Sequence, residues 1–171
     1  MKKLFKDSET FQKERPLRIT GKQELDVYKE VADEIIKCSL STNSKKQIVK
    51  DLAENYISNS DSIETANQLR ENCSGYTFNS SLLEMIELID VIISEKKDKN
   101  VKQWVKAHSI KPKYKIGDSF KLKKPVCYGY SNIDIVFITG IYKDRACYTI
   151  SLDKNQNGGT LVAYERLENC I

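Results

Sequence analysis

The sequence predicts an α+β protein, an N-terminal helical bundle of four to five helices followed by a small antiparallel β-barrel. Three observations predict it. Up to Pro112 the apolar residues recur at three- and four-residue steps, the signature of amphipathic helices. After Pro112 they alternate or run in short stretches of Val, Ile, Tyr and Phe, cut by Gly, Asn and Asp. Five such stretches fall within residues 112–171, and closing a sheet that small is an economical way to bury one face and limit exposed edges. The expected division is an N-terminal arm over 1–19, the bundle over 20–110 and the barrel over 112–171.

Residues 1–19 mix charged side chains with scattered Leu4, Phe5, Phe11, Leu17 and Ile19 and show no period, which reads as an arm ordered by docking. Thr20-x-x-Gln23 has the form of a capping box, and Leu25, Tyr28, Val31, Ala32, Ile35 and Ile36 supply one apolar face of a helix over 22–39. Ser44-x-x-Gln47 repeats the signal before a second helix over 45–58. Asp61-x-x-Glu64 opens a third, more polar one over 62–73, with Gly75 suited to its stop. Ser81-x-x-Glu84 precedes the most hydrophobic element, in which Leu82 to Ile93 leaves little polar face. Val101, Trp104, Val105 and His108 share a further helical face, and the pattern fits either one helix over 81–109 or two that break near Asn100.

In the β region, Ser119 to Lys124 alternates, with Phe120 and Leu122 on one side and Lys121 and Lys123 on the other. Ile133 to Tyr142 forms the longest strand, Lys143-Asp144 a reversal, and Arg145 to Leu152 its hairpin partner. Asp153 to Gly159 is a second turn and Thr160 to Ala163 a fourth strand. Tyr164-Glu165-Arg166-Leu167 suits one helical turn before the last residues pair again.

Composition sets outer limits. The chain has 171 residues, 40% hydrophobic and 30% charged, the balance of an ordered globular protein. Leu82 to Ile93 is its longest apolar stretch, and Glu84, Glu87 and Asp90 interrupt it, so no bilayer-spanning segment is expected. The first residues lack the apolar centre of a signal peptide, and a cytoplasmic location is expected. Five cysteines at positions 38, 73, 127, 147 and 170 contain no Cys-x-x-Cys pair, so reduced thiols are expected and no metal or other cofactor.

The charge is uneven. Residues 1–111 hold 19 Lys+Arg against 18 Asp+Glu, and residues 112–171 hold 9 against 6. Between Lys96 and Lys124 there are 11 lysines and two acids, a net of +9 against −5 for the rest. The lysines of this window, including Lys102, Lys106, Lys113, Lys115, Lys121, Lys123 and Lys124, interleave with Trp104, Tyr114 and Phe120, and could combine phosphate attraction with base stacking. Lysine outnumbers arginine 23 to 5, and lysine lacks the planar fork that reads guanine edges, so contact would be to the backbone. A solvated helix end and a lysine-guarded edge strand account for the same residues without a ligand.

The β region resembles small barrels of the Src-homology (SH3-like) or Tudor type. Tyr114-Lys115-Ile116-Gly117-Asp118 before the first strand is similar to the hydrophobic-Gly-Asp entry of such modules. The long second and third strands and Tyr164-Glu165-Arg166-Leu167 also fit. The resemblance covers about a third of the chain, and it implies a fold and a tendency to bind peptides or nucleic acids. In such barrels the loop after the first strand and its neighbours build an aromatic groove. That would make Tyr128 and Tyr130 exposed site residues and Tyr148 a core residue.

Two other constellations compete. Helices 45–58 and 62–73 could form a helix-turn-helix offering Asn67, Gln68, Arg70 and Asn72 to bases, although Asp61, Glu64 and Glu71 would then face phosphates. Cys127 or Cys147 with His108, the single histidine, could form a thiol–imidazole pair. The expectation is a non-catalytic protein that contacts nucleic acid through the lysine-rich junction and the aromatic barrel face. The alternative is a protein-interaction module, an inhibitor or adaptor of phage or mobile-element type (anti-CRISPR-like), with a host protein as partner. A cysteine-dependent enzyme is the third reading.

Overall fold

A computed structural model describes residues 15–58, 61–127, 129–131 and 134–171. The chain divides into two compact units: Pro16–Lys99, and Asn100–Ile171 together with Arg15. Each has its own hydrophobic core.

The first unit holds helices α1 (Gly21–Lys37), α2 (Lys45–Asn55), α3 (Ser62–Asn72) and the first part of α4 (Ser80–Ala107). Side-chain caps set their starts. The Thr20 hydroxyl accepts from the Gln23 N–H while the Gln23 side chain accepts from the Thr20 N–H, the full reciprocal box. Ser44 accepts from the Gln47 N–H in the same way, but the Gln47 side chain turns instead to Asp51, 2.6 Å away. Asp61 caps α3 through the Ile63 N–H. The cap of α4 is Asn79, whose amide oxygen accepts from Leu82, so this helix begins before the expected Ser81. Val27, Val31, Ile35, Ile48, Leu52, Leu69, Leu82, Ile86 and Ile89 form the buried centre.

Helix α4 is a single element of 28 residues. Neither Gly nor Pro interrupts it, and Asn100 alone is too weak a breaker to end it. Its buried positions are Leu82, Ile86, Ile89 and Ile93 in the first unit and Val101 and Val105 in the second. No helix among the described residues is long and apolar enough to cross a membrane.

The second unit carries an antiparallel four-stranded sheet in sequential order, β1 (Ser119–Lys121), β2 (Ile135–Tyr142), β3 (Cys147–Ser151) and β4 (Thr160–Ala163), followed by the short helix α5 (Tyr164–Glu168). The register pairs Lys121 with Ile135 and Ser119 with Phe137. It shifts between Ile138 and Gly140, a bulge at the one residue of β2 whose added Cβ would lie 2.9 Å from Thr149 Oγ1. A 3₁₀ turn (Lys143–Arg145) closes the β2–β3 hairpin, with Ala146 in the left-handed region.

The sheet is open, whereas a closed barrel of five strands was expected. No fifth strand forms among the described residues. After α5, Asn169 keeps helical backbone angles, and Cys170 supplies one carbonyl to the Lys123 and Lys124 N–H groups in place of a ladder. The first strand is also shorter than expected, although the Leu122 N–H still reaches the Asp134 carbonyl.

Tyr148 sits fully buried at the centre of this unit. Its hydroxyl accepts from the backbone N–H groups of Lys113 and Tyr114, at 2.9 and 3.1 Å. Its ring packs against Tyr164, centroids 4.2 Å apart, and Tyr114, 5.8 Å. The hydroxyl of Tyr164, by contrast, is buried with no hydrogen-bond partner among the described residues, and burial pushes its pKa up to about 12. The two tyrosines should therefore respond oppositely to loss of the hydroxyl. Tyr148→Phe orphans two N–H groups and should cost about 1–3 kcal/mol. Tyr164→Phe should be neutral or slightly stabilising. Urea denaturation of both variants checks this, and a Tyr164→Phe loss as large as that of Tyr148→Phe would contradict it.

Candidate nucleic-acid interface

The lysines between residues 100 and 124 lie on the last part of α4, in the segment that follows it, and on and beside β1. Between residues 100 and 124 there are eight lysines and one acid, Asp118. Asp118 is used locally, since its carboxylate accepts from the Lys115 N–H and holds the turn that delivers the chain into β1. Gly117, at φ 93°, provides the left-handed residue in that turn. β1 pairs only with β2, so its other side is a sheet edge, and lysine on such an edge also discourages pairing with another chain.

Two of the eight lysines have acidic partners. Lys102 lies 3.8 Å from Asp144. Lys113 donates to Glu168 at 2.5 Å, and that hydrogen bond raises the ammonium pKa. The other six, Lys106, Lys111, Lys115, Lys121, Lys123 and Lys124, are exposed and have no ion-pair partner among the described residues. Lys121 and Lys123 flank the buried Leu122, as the alternation predicted. The backbone N–H groups of Lys123 and Lys124 are anchored on Cys170 while their side chains remain exposed.

The aromatic residues behave differently. Trp104 is half-buried, packed on the second core, with its ring 6.0 Å from that of His108 and its Nε1 buried without a partner among the described residues. Tyr130 is half-buried rather than exposed. Its hydroxyl donates to the Ile150 carbonyl at 3.1 Å and lies 3.2 Å from Thr160 Oγ1, which ties its loop to β3 and β4. Tyr128 lies outside the described residues. Tyr114 and Phe120 stack on each other at 4.5 Å and are half-buried, so neither offers a free ring.

The outer face of the sheet supplies what the aromatic set did not. Ser119 and Lys121 alternate with the inward Phe120, and opposite them on β2 stand Phe137 and Ile135. Phe137 is half-buried and Ile135 is 54% exposed, so an apolar platform adjoins Lys121. The period-two pattern of β2 contained this signal, but it did not reveal which face would stay uncovered.

Several side chains of the competing constellations have partners within the chain. In the helical unit, the Arg70 guanidinium sits over the Phe78 ring at 4.9 Å, and Asn72 donates to Asn55 and Gln68, so these side chains are turned to neighbours within the chain. Cys147 is buried and its thiol donates to the Arg145 carbonyl while Arg15 donates to the sulfur. Burial pushes the Cys127 thiol up, which disfavours the thiolate a nucleophile needs. Among the described residues no three His, Cys, Asp or Glu side chains gather as a metal site would require.

Comparison with protein-family models, with curated proteins and with solved structures finds no match.

Thiol reactivity provides a direct check. With a disulfide reagent at neutral pH, the exposed Cys38 should be modified first, Cys73 and Cys127 later, and the buried Cys147 and Cys170 last. Peptide mapping of the labelled protein reads the order. Modification of Cys127 ahead of Cys38 would reveal an activated thiol.

Proposed function

We propose that the protein is a non-catalytic nucleic-acid-binding protein that grips the phosphate backbone with the lysines along β1 and its flanking segments. The observation that carries this reading is the set of six exposed lysines without ion-pair partners in a segment of one acid. Unpaired surface lysines hold a counterion atmosphere that phosphates replace, and release of those ions drives association. Phe137 and Ile135, on the face that carries Lys121, would lie under a base or sugar.

Because the contacts come from lysine, the binding should be weakly sequence-specific and strongly salt-dependent. Fluorescence anisotropy with single- and double-stranded oligonucleotides across a salt series tests it. The triple variant Lys121→Glu, Lys123→Glu, Lys124→Glu should weaken binding to every sequence alike. It should also flatten the salt slope by about one unit per lysine. Lys50→Glu on α2, where the lysine pairs with Glu54, serves as the control and should change little. Absence of binding at low salt, or equal losses in control and triple variant, would sink the proposal.

A second reading rests on a different observation. The helical unit has an open cleft of about 410 Å³ lined by Ile63, Ala66, Phe78, Leu82 and Leu83, with Ile63 52% exposed. Asn67, Arg70, Asn79 and Ser80 complete its wall, and a cleft with an apolar floor and polar residues beside it suits a protein partner, as an inhibitor or adaptor would use. A partner captured from host lysate after nuclease treatment, and retained at high salt, would favour it over the first reading.

A further inference from the structure

The helical unit contains a buried carboxylate that no cation neutralises. Asp51 on α2 is 4% exposed, and no Lys or Arg pairs with it among the described residues. Its two oxygens accept from Gln47 Nε2 at 2.6 Å and from the Tyr76 hydroxyl at 2.8 Å. Each oxygen keeps further acceptor capacity. A buried charge held only by neutral donors is costly, which makes its retention informative.

Asp51 forms part of the wall of an open cleft of about 190 Å³, together with Asn43, Gln47, Asn72, Cys73 and Ser74. The polarity of this wall follows from where its donors are spent. Gln47 Nε2 donates to Asp51, and Asn72 Nδ2 donates to Asn55 and Gln68. Asn43 Nδ2 donates to the Ser74 carbonyl, and its amide also bonds the Tyr76 hydroxyl. The backbone N–H of Gln47 is taken by Ser44 Oγ. Burial and the Asp51 carboxylate raise the Cys73 thiol, so the sulfur adds no charge. What remains, besides the Ser74 hydroxyl and one N–H of Gln47, is a set of acceptors: the amide oxygens of Gln47, Asn72 and Asn43 and the Asp51 carboxylate.

We infer that this cleft binds a small alkylguanidinium group. The wall offers acceptors and a negative charge against two remaining side-chain donors, the Ser74 hydroxyl and one N–H of Gln47, so the better complement is a cation with several N–H groups. A guanidinium has five donors in a fixed plane and suits several converging acceptors better than the compact ammonium. A cleft of 190 Å³ is smaller than the 300–1,000 Å³ usual for drug-sized ligands and takes one group of side-chain size. The same chemistry comes from a free small guanidine or from an arginine side chain of a partner.

The test is an NMR titration of the full chain, following the side-chain amide signals of Gln47, Asn43 and Asn72. The probes are methylguanidinium chloride, methylammonium chloride, sodium chloride, inorganic phosphate, and a capped Gly-Arg-Gly peptide. Methylguanidinium or the peptide should shift these signals saturably, and Asp51→Asn should weaken the response about tenfold or more, the worth of one charge-assisted contact. Tighter binding of the peptide assigns an arginine of a partner, and tighter binding of methylguanidinium assigns a free guanidine. No saturable response to either guanidinium probe, a response matched by sodium chloride, preference for methylammonium or phosphate, or an undiminished response in Asp51→Asn would overturn the inference.

Discussion

The second unit depends on one buried phenol. Tyr148 lies on the central pair of the sheet, and its hydroxyl is the acceptor that ties the backbone of Lys113 and Tyr114 to β3. Burying a side chain of this size contributes about 1.5–3 kcal/mol, and each hydrogen bond adds about 1 kcal/mol net. The gain is directional. Segment 113–118 is pinned at its start by Tyr148 and at its end by the Asp118 turn, so β1 enters the sheet in one register. That register decides which lysines point outward. Slipping β1 by one residue would turn Lys121 inward and Leu122 to solvent. The charged edge is therefore a consequence of the aromatic centre and not an independent feature.

The helical unit follows a different economy. Its core is mainly aliphatic, with Tyr28 among its buried residues, and a network of buried polar groups lies where α2, α3 and the Ser74–Tyr76 segment meet. There Gln47 abandons the second half of a capping box to bind Asp51. Tyr76 donates to the same carboxylate, while Asn55 donates to the Asp51 backbone carbonyl and accepts from Asn72. Apolar residues could fill this space with less desolvation cost. Places where a local rule is broken without evident structural return are where function is expected to sit.

How far the sequence was legible varies by element. The starts of α1, α2 and α3 were readable because a short polar side chain before an amphipathic run has one economical use, satisfying free N–H groups. The start of α4 was misread because Asn79 and Ser81 are both competent caps and only backbone geometry chooses between them. Its continuity through Asn100 was open in the sequence for a similar reason: no single residue there ends or enforces a helix. Sheet closure was overestimated, since strand propensity in the last residues cannot compete with the helical angles that α5 passes on to Asn169. Within the candidate interface, the lysines were visible as a count. The fate of each was not, because pairing of Lys113 with Glu168 and Lys102 with Asp144 joins residues 55 and 42 positions apart in the chain.

By itself the sequence determined the α+β class, the order of helices then strands, and the concentration of lysine between them. These follow from period, capping chemistry and charge, all properties of neighbouring residues. Only the tertiary structure decided which groups remain available. It turned Tyr130 and Trp104 into packing residues, brought Phe137 beside the lysine edge, and left Asp51 buried at a polar cleft with no Lys or Arg partner among the described residues. Availability depends on what the rest of the chain covers or pairs, and that is settled by contacts between residues far apart in sequence.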